Sequence, residues 1–558
     1  MAEKKKDEFS YGSSFLPEGE RKYSVIRWGW NGLNRTDKID TGQLTDMSGM
    51  VCDPPYMEPV KYAKGIIDFS TGIPVRENGA VMTPVATAQR HSGTPISISG
   101  NSPDGTIITL VWRDEDNDKI VLSRYSYYPH DDDTITHGWY CVGDFTLGNA
   151  TGVDTTDLAS RSIQMFNAVD TSTGNIATYT YDRKQLVYPD CYAVPYSISG
   201  SALSFNTQGN PIPVPEFATV YGSRVFGVDS NKVAASAYNS YVDYSVDTSD
   251  DISSAHAWMS MAGSSTDSDG IFTAVCTYDN HVVLFKKDFM QLVYNNKNPF
   301  RIVDVGKFGC DNNNAWAILN GVLFFASKEK VYTYSGGTPK EISAKLEVGD
   351  LSGAVLGSFK DTLWMQTNDS LYTYKPKTGV WSNVGQAPFG GAHVRVEQFA
   401  ALDYGLVALS NLAPDNQSPD YALYMVDWDI ELMNLSDDAA EDWKAEYPTH
   451  WSFATDLMAL GKLDLRRVKK FSMLCEGNKG ATITVYLLKD GDMWIDRDRE
   501  KKLVGEFALD STGIHVIRVL TRQFSATMHQ LYFVGSGYMK IHAAELKVSW
   551  GGDVYADS

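Results

Sequence analysis

Long apolar runs are missing from this chain of 558 residues. A membrane-crossing helix needs ~20 consecutive apolar residues, and the best stretch, Gly321 to Ala326, is only strand-sized. The opening MAEKKKDE has no apolar core behind it of the kind a secretory leader carries. Cysteine is scarce and scattered: Cys52, Cys141, Cys191, Cys276, Cys310 and Cys475 include no C-x-x-C pair. A disulfide framework or a zinc site would use closer or more regular spacing, so buried free thiols and synthesis in a reducing cytoplasm are expected. Positive charge is in deficit, with 49 Lys and Arg against 69 Asp and Glu, a net charge of −20 and a pI near 4.9. That balance argues against a protein that grips duplex DNA or an anionic membrane by neutralising charge.

Catalytic signatures are absent as well. The chain has no H-E-x-x-H, no G-x-S-x-G elbow and no G-x-x-x-x-G-K-[ST] phosphate loop. Its ten histidines are isolated, with no pair at helical metal-ligand spacing. A sustained 3.6-residue period is almost nowhere to be found.

The residues present describe a folded β protein. Hydrophobic residues at 43% and charged residues at 21% exclude disorder for most of the chain. Aromatics at 12%, Tyr above all, favour strands. Runs of five to eight apolar or alternating residues recur between Gly, Asn, Asp, Ser and Pro clusters, as at Thr106 to Trp112, Ile120 to Tyr127, Val282 to Lys286 and Tyr421 to Trp428.

A longer period sits above the strand period from about residue 100 to 435. Leu323 to Gly337 (LFFASKEKVYTYSGG) reads as an apolar strand, a polar turn, a Tyr-x-Tyr strand and a Gly-Gly turn. Leu363 to Gly379 (LWMQTNDSLYTYKPKTG) repeats it 40 residues on. Looser copies lie at Ala177 to Tyr188, Val225 to Ala235 and Val282 to Tyr294. About 40 residues is one four-stranded propeller blade. A lone blade cannot bury both faces, so neighbours in a ring must cover them; about seven blades are expected.

After Asn434 the pattern changes. Ser436 caps an acidic run that reads as a short linking helix. Beyond it Ile483, Val485 and Leu487, and later Ala544, Leu546, Val548 and Trp550, alternate with polar residues. About seven antiparallel strands there close into a β-sandwich of jelly-roll type. The fold class is thus all-β: an N-terminal arm over 1–60, a propeller over 61–435, a linking helix over 436–448 and a sandwich over 449–558.

Three stretches have candidate site chemistry. His130 to His137 places two imidazoles around three carboxylates, Asp114 to Asp118 imitates the first half of a calcium loop, and Ser265 to Gly270 resembles an aspartate box. The calcium loop fails on its own terms, since Lys119 stands where the turn needs Gly and Tyr125 where the bidentate Glu belongs. The other two read as solvated turns. Basic clusters at Lys4 to Lys6, Arg466 to Lys470 and Arg497 to Lys502 are short and interleaved with acids or apolar residues. No catalytic, metal or cofactor residue is assigned.

The order of motifs carries a resemblance. Arg27 to Asn34 (RWGWNGLN), then Asp40 to Met50 (DTGQLTDMSGM), resembles the opening of the packaged-DNA stabilisation, or tail hub and nozzle, proteins of short-tailed phages. That opening runs G-x-N … G-E-L-x-D-M-x-N-M … Y-P. Gln43 stands here at its acid, Gly49 at its late amide, and Asp53 to Tyr56 (DPPY) at its closing pair. The likeness continues through Ala218 to Asp229, Ala234 to Tyr238, Val283 to Tyr294, Gly306 to Cys310, Asn320 to Phe325, Val331 to Gly337 and Glu341 to Ser343. The resemblance implies a non-enzymatic virion protein, assembled in the host cytoplasm as a homo-oligomeric ring, often a hexamer, below the portal and its adaptor. Such a ring helps retain packaged DNA and lets it pass without sequence preference. Trp28 and Trp30, on an arm reaching a neighbour, are the candidate partner anchors. The competing expectation is a tail protein that binds a host receptor or glycan through an aromatic-lined cleft.

Overall fold

The computed structural model describes residues 23–35, 43–68, 73–74, 90–91, 93–99, 108–114, 119–129, 135–146, 164–169, 176–181, 190–191, 217–229, 231–239, 255–260, 270–294, 297–346, 348–368, 370–390, 394–411, 421–433, 440–441, 443–459, 466–489, 501–521, 525–526 and 528–550. Among them, seven small antiparallel sheets follow one another along the chain, at 93–146, 164–191, 217–260, 272–306, 316–341, 355–383 and 395–428. We number them blades 1 to 7. The first strand of each blade is the innermost. These strands neighbour one another in blade order for blades 1 to 4 and 5 to 7, and Arg395–Leu402 of blade 7 returns to Gly93–Ser99 of blade 1. Phe285 and Phe325, with ring centroids 4.9 Å apart, join blade 4 to blade 5. The chain therefore forms a closed seven-bladed β-propeller.

The 40-residue repeat read from the sequence is exact in register. Leu323 pairs with Tyr334 in blade 5, and Leu363 pairs with Tyr374 in blade 6. In blades 3 to 7 the first and second strands turn in two residues. Gly222–Ser223, Asp279–Asn280 and Asn320–Gly321 all hold positive φ, the primed geometry that matches strand twist.

Strands β1 (Tyr23–Trp28), β2 (Leu44–Ser48), β3 (Met50–Asp53), β4 (Tyr56–Pro59) and β5 (Lys64–Asp68) precede the first blade. The fifth supplies the outer strand of blade 7, beside Tyr421–Trp428. One blade is thus stitched from both ends of the propeller, which fastens the ring.

The first four strands correct the expected boundary at residue 60. They form no arm over the described residues 23–59. Strand β1 pairs with Met539–Trp550 along its whole length, β3 and β4 extend the same seven-stranded sheet, and β2 pairs with Trp451–Thr455 in a six-stranded sheet. The sandwich is built from both termini, with the propeller inserted between them. Among the described residues its C-terminal part has seven strands longer than two residues, in line with the alternation.

Of the expected linking helix over 436–448, residues 436–439 and 442 lie outside the described residues, and a short helix precedes it. The helix α1 is Ile430–Met433, begun by Asp429, whose carboxylate accepts the Glu431 N–H at 3.0 Å. Ser436 and the acidic run after it fall in 434–439, outside the described residues; residues 440–441 are helical and 443–450 are not.

Candidate functional site

The predicted anchors are internal. Trp28 is 0% and Trp30 1% exposed. The Trp30 ring stands edge-on to Phe453 at 5.4 Å and to Phe533 at 6.4 Å, both in the six-stranded sheet. Neither tryptophan has surface left for a partner, which corrects the anchoring role: they are core of their own sandwich. The missed signal is that the motif's apolar residues, Trp28, Trp30, Leu33, Leu44, Met47 and Met50, are all buried together.

That motif brackets the sandwich to the propeller. Asn34 Nδ2 donates to Gln43 Oε1 at 2.5 Å, inside the protein. The Leu33 N–H bonds the Trp381 carbonyl of blade 6 at 2.9 Å, and the Cys52 N–H bonds Ser382 Oγ at 2.8 Å. Gly32, at φ 82°, leaves no room for a Cβ against Val380. One apolar core runs without a break from Trp28, Phe453 and Phe533 through Trp381 to Leu323, Phe325 and Phe285 of blades 5 and 4.

A half-buried carboxyl marks the same junction. Glu58 on β4 lies near Lys540 of the sandwich and Lys375 of blade 6, and burial still raises its pKa above the ordinary 4.5. Tyr538 is raised too, first by burial and then by Glu58, and its ring lies 4.7 Å from that of Tyr447. Lys540 Nζ sits over the Tyr56 ring at 3.4 Å.

The propeller axis is the second candidate site. An innermost strand has no β partner on its axial flank, so its backbone groups need other partners. Side chains from other blades and their connections supply them. Thr277 donates to the Val220 carbonyl at 2.8 Å, and Asn313 accepts the Val275 N–H at 3.1 Å. Ser358 donates to the Ile318 carbonyl at 2.8 Å, and Asn314 donates to the Glu397 carbonyl at 3.1 Å. At the seam, Gln398 bonds both backbone groups of Ile98, accepting its N–H at 3.1 Å and donating to its carbonyl at 2.9 Å. The seven innermost strands contain one basic and one acidic residue, Arg395 and Glu397, and these pair with each other at 3.3 Å. This is a neutral polar girdle whose hydrogen-bonding capacity goes largely into the ring itself.

A cavity of about 420 Å³ lies on blade 5, lined by Lys328, Glu329, Lys330, Glu341, Ser343 and Asp350 among others. Lys330 and Glu341 pair across it at 2.8 Å. Asp350 is lowered by hydrogen bonds from Ser352. Nearby Asp311, in the crossover from blade 4, is raised by burial, and its carboxyl oxygens find no partner among the described residues.

The stretches with site chemistry fall mostly outside the described residues: 115–118, 130–134 and 265–269. Their flanking strands pair directly where described, Lys119 opposite Asp114 and Pro129 opposite Ile135. Among the described residues no group of three or more His, Cys, Asp or Glu could hold a metal ion. Cys52, Cys276, Cys310 and Cys475 are free and buried, as expected. No helix among them is long and apolar enough to cross a membrane.

No family model matches the chain, and no curated protein matches it in sequence. Among solved structures it is similar to a glycoside hydrolase family 43 arabinoxylan arabinofuranohydrolase from Bacillus subtilis, crystallised with cellotetraose. The identity is 12% and the TM-score 0.20, over 81% of this chain and 95% of that one. It is also similar to BBS1N in complex with ARL6DN (12% identity, TM-score 0.32, 62% and 96% covered). A third is apo AztD from Citrobacter koseri (9% identity, TM-score 0.26, 77% and 90% covered). At those scores the likenesses carry no functional argument, and the fold stands on the sheet topology.

Proposed function

We propose that the protein is a structural subunit of a phage tail, a hub or nozzle ring component that helps retain packaged DNA and forms part of its exit channel. The observation that carries this reading is the continuous core between sandwich and propeller. The motif that resembles the hub family, Arg27 to Met50, is the part of the chain that builds that joint. A channel subunit transmits load between neighbours above and below, and a rigid two-part body suits that task.

In this reading the subunits form a homo-oligomeric ring, hexameric by the family resemblance, against the portal or its adaptor, after synthesis in the host cytoplasm. Acidic surfaces then favour passage over adhesion, because a like-charged wall does not bind phosphate. Receptor or glycan binding would call for an aromatic-lined cleft. The blade 5 cavity is lined by charged and small residues instead.

Imaging the assembled particle tests the proposal. A closed ring of this chain with an axial opening is the expected result. A chain that stays monomeric beside a portal complex refutes it.

A further inference from the structure

The strand Gly513–Leu520 ends the seven-stranded sheet. Among the described residues it pairs with Arg466–Gly477 on one flank and with no strand on the other. Free edges invite pairing with another chain, and proteins blunt them with lysine, proline or a bulge. Other long edges of this protein are blunted in that way. Lys501–Ala508, which ends the six-stranded sheet, opens on Lys501 and Lys502 and bulges against Thr482–Lys489. Ile135–Thr146 of blade 1 and Arg301–Gly306 of blade 4 bulge against their neighbours too. Gly513–Leu520 has no lysine, no proline and an unbroken register from Lys470–Leu520 to Gly477–Gly513.

Its outward row is Ile514, Val516, Arg518 and Leu520, with Arg518 its single charge. Ile514 and Leu520 are each 71% exposed and Val516 55%. Leu474, opposite Val516 on the next strand, is exposed beside them. A contiguous exposed apolar strip of this kind marks an interaction surface.

The row is complementary to itself when reversed. In an antiparallel pairing about a two-fold axis at Ile517, positions of like parity meet, so outward residues stay on one face. Ile514 then lies opposite Leu520 of the second copy, and Val516 opposite its Arg518, each pair occurring twice. On the inner face Ile517 meets its own copy and His515 meets Val519. An axis at Arg518 would set arginine against arginine, and an axis at Val516 would run Leu520 past the end of the strand.

The area suffices for a reversible dimer. The eight-residue edge is about 27 Å long at ~3.4 Å per residue and about 20 Å deep across two sheets packed ~10 Å apart, so pairing covers about 500 Å² on each copy. The total of roughly 1,000 Å² stands at the lower bound of specific interfaces.

We propose that Gly513–Leu520 pairs with the same strand of a second copy about a two-fold axis at Ile517, joining two seven-stranded sheets into one. A two-fold contact closes on itself after two copies. The pairing is therefore separate from the ring of the hub reading and does not rest on it; it doubles whatever unit, single subunit or ring, presents the edge.

Sedimentation velocity of the full chain over a concentration series tests the pairing, with Val516→Lys and Val516→Glu as the variants. Position 516 is exposed, so the unfolding midpoint by circular dichroism stays at the wild-type value in both. The new lysine stands opposite Arg518 of the second copy and repels it, twice in each dimer; the new glutamate pairs with it instead. The expected result is a wild-type particle of twice the mass of the Val516→Lys particle, with the pairing constant of the lysine variant weakened at least ~30-fold, about 2 kcal/mol at ~1.4 kcal/mol per tenfold. The glutamate variant pairs as the wild type does. Wild type and lysine variant of equal mass at every concentration overturn the pairing. A doubling lost equally with lysine and with glutamate overturns the axis at Ile517.

Discussion

Replacing Trp30 with alanine separates the two roles that residue could have. In the structure the ring is buried and edge-on to Phe453 and Phe533, which themselves stack with centroids 4.5 Å apart. Truncating a buried tryptophan costs about 3–5 kcal/mol, through lost transfer energy and the cavity left behind. The two edge-to-face contacts, ~0.5–1.5 kcal/mol each, place this site within that range rather than below it. Taking ~4 kcal/mol and ~2–4 °C per kcal/mol for a unit of the sandwich's size, the melting temperature falls by roughly 8–16 °C. Trp30→Phe is the control. The indole N–H has no acceptor among the described residues, so phenylalanine keeps the aromatic contacts and discards an unpaired donor. Its cost is smaller than alanine's, about 1–3 kcal/mol, set by the void left where the indole exceeds the phenyl ring. Differential scanning calorimetry reads both variants. An alanine variant that melts with the wild type yet no longer assembles would refute the internal account and restore Trp30 as a partner anchor.

Three more outcomes follow from single features. Burial raises the Glu58 pKa above 4.5, so its contribution to stability is full below that value and is lost as pH rises through the raised one; Glu58→Gln flattens the fall in melting temperature from pH 4.5 toward neutrality. Gln398→Ala strips both partners from the Ile98 backbone at the ring seam, which costs about 2–3 kcal/mol and speeds amide exchange in Gly93–Ser99. Burial pushes Cys52 up to about 12 and Cys475 to about 11, and raises Cys276 and Cys310 as well, so a maleimide leaves all four unlabelled in the native protein and modifies them once it is unfolded.

The propeller was legible because its information is local. Leu323 and Tyr334 lie eleven positions apart and pair within one hairpin, so a repeat in sequence is a repeat in space. The sandwich was only half legible. The alternation in Thr482–Lys489 and Met539–Trp550 shows strands, but Tyr23 finds Ser549 across nearly the whole chain, and no local pattern names so distant a partner. The same gap hid the role of the Trp28 and Trp30 motif. Aromatic residues in a polar, Gly-rich stretch read as an arm until the strand Met539–Trp550, some 500 residues on, is known to cover them. A short helix that the sequence pattern did not announce, Ile430–Met433, follows directly after the last propeller strand, where Asp429 caps its first turn. The edge strand Gly513–Leu520 gave a conflicting signal, since apolar residues outward on a wetted face look like core in sequence.

The pairing of β1 with Met539–Trp550 also sets a timetable for biosynthesis. Ribosomes add roughly 5–20 residues per second, so the first strand waits roughly 25–100 s before its partner emerges. A shorter wait, roughly 18–70 s at the same rate, applies to β5, whose place in blade 7 appears only when Tyr421–Trp428 is made. The blades between can form hairpin by hairpin as they leave the ribosome, but neither the ring nor the sandwich can close early. The oldest part of the nascent chain, with Trp28, Trp30 and Met47 still uncovered, is the last to be buried. A chaperone that holds the N-terminal segment until Met539–Trp550 has emerged would shield those apolar side chains through the wait.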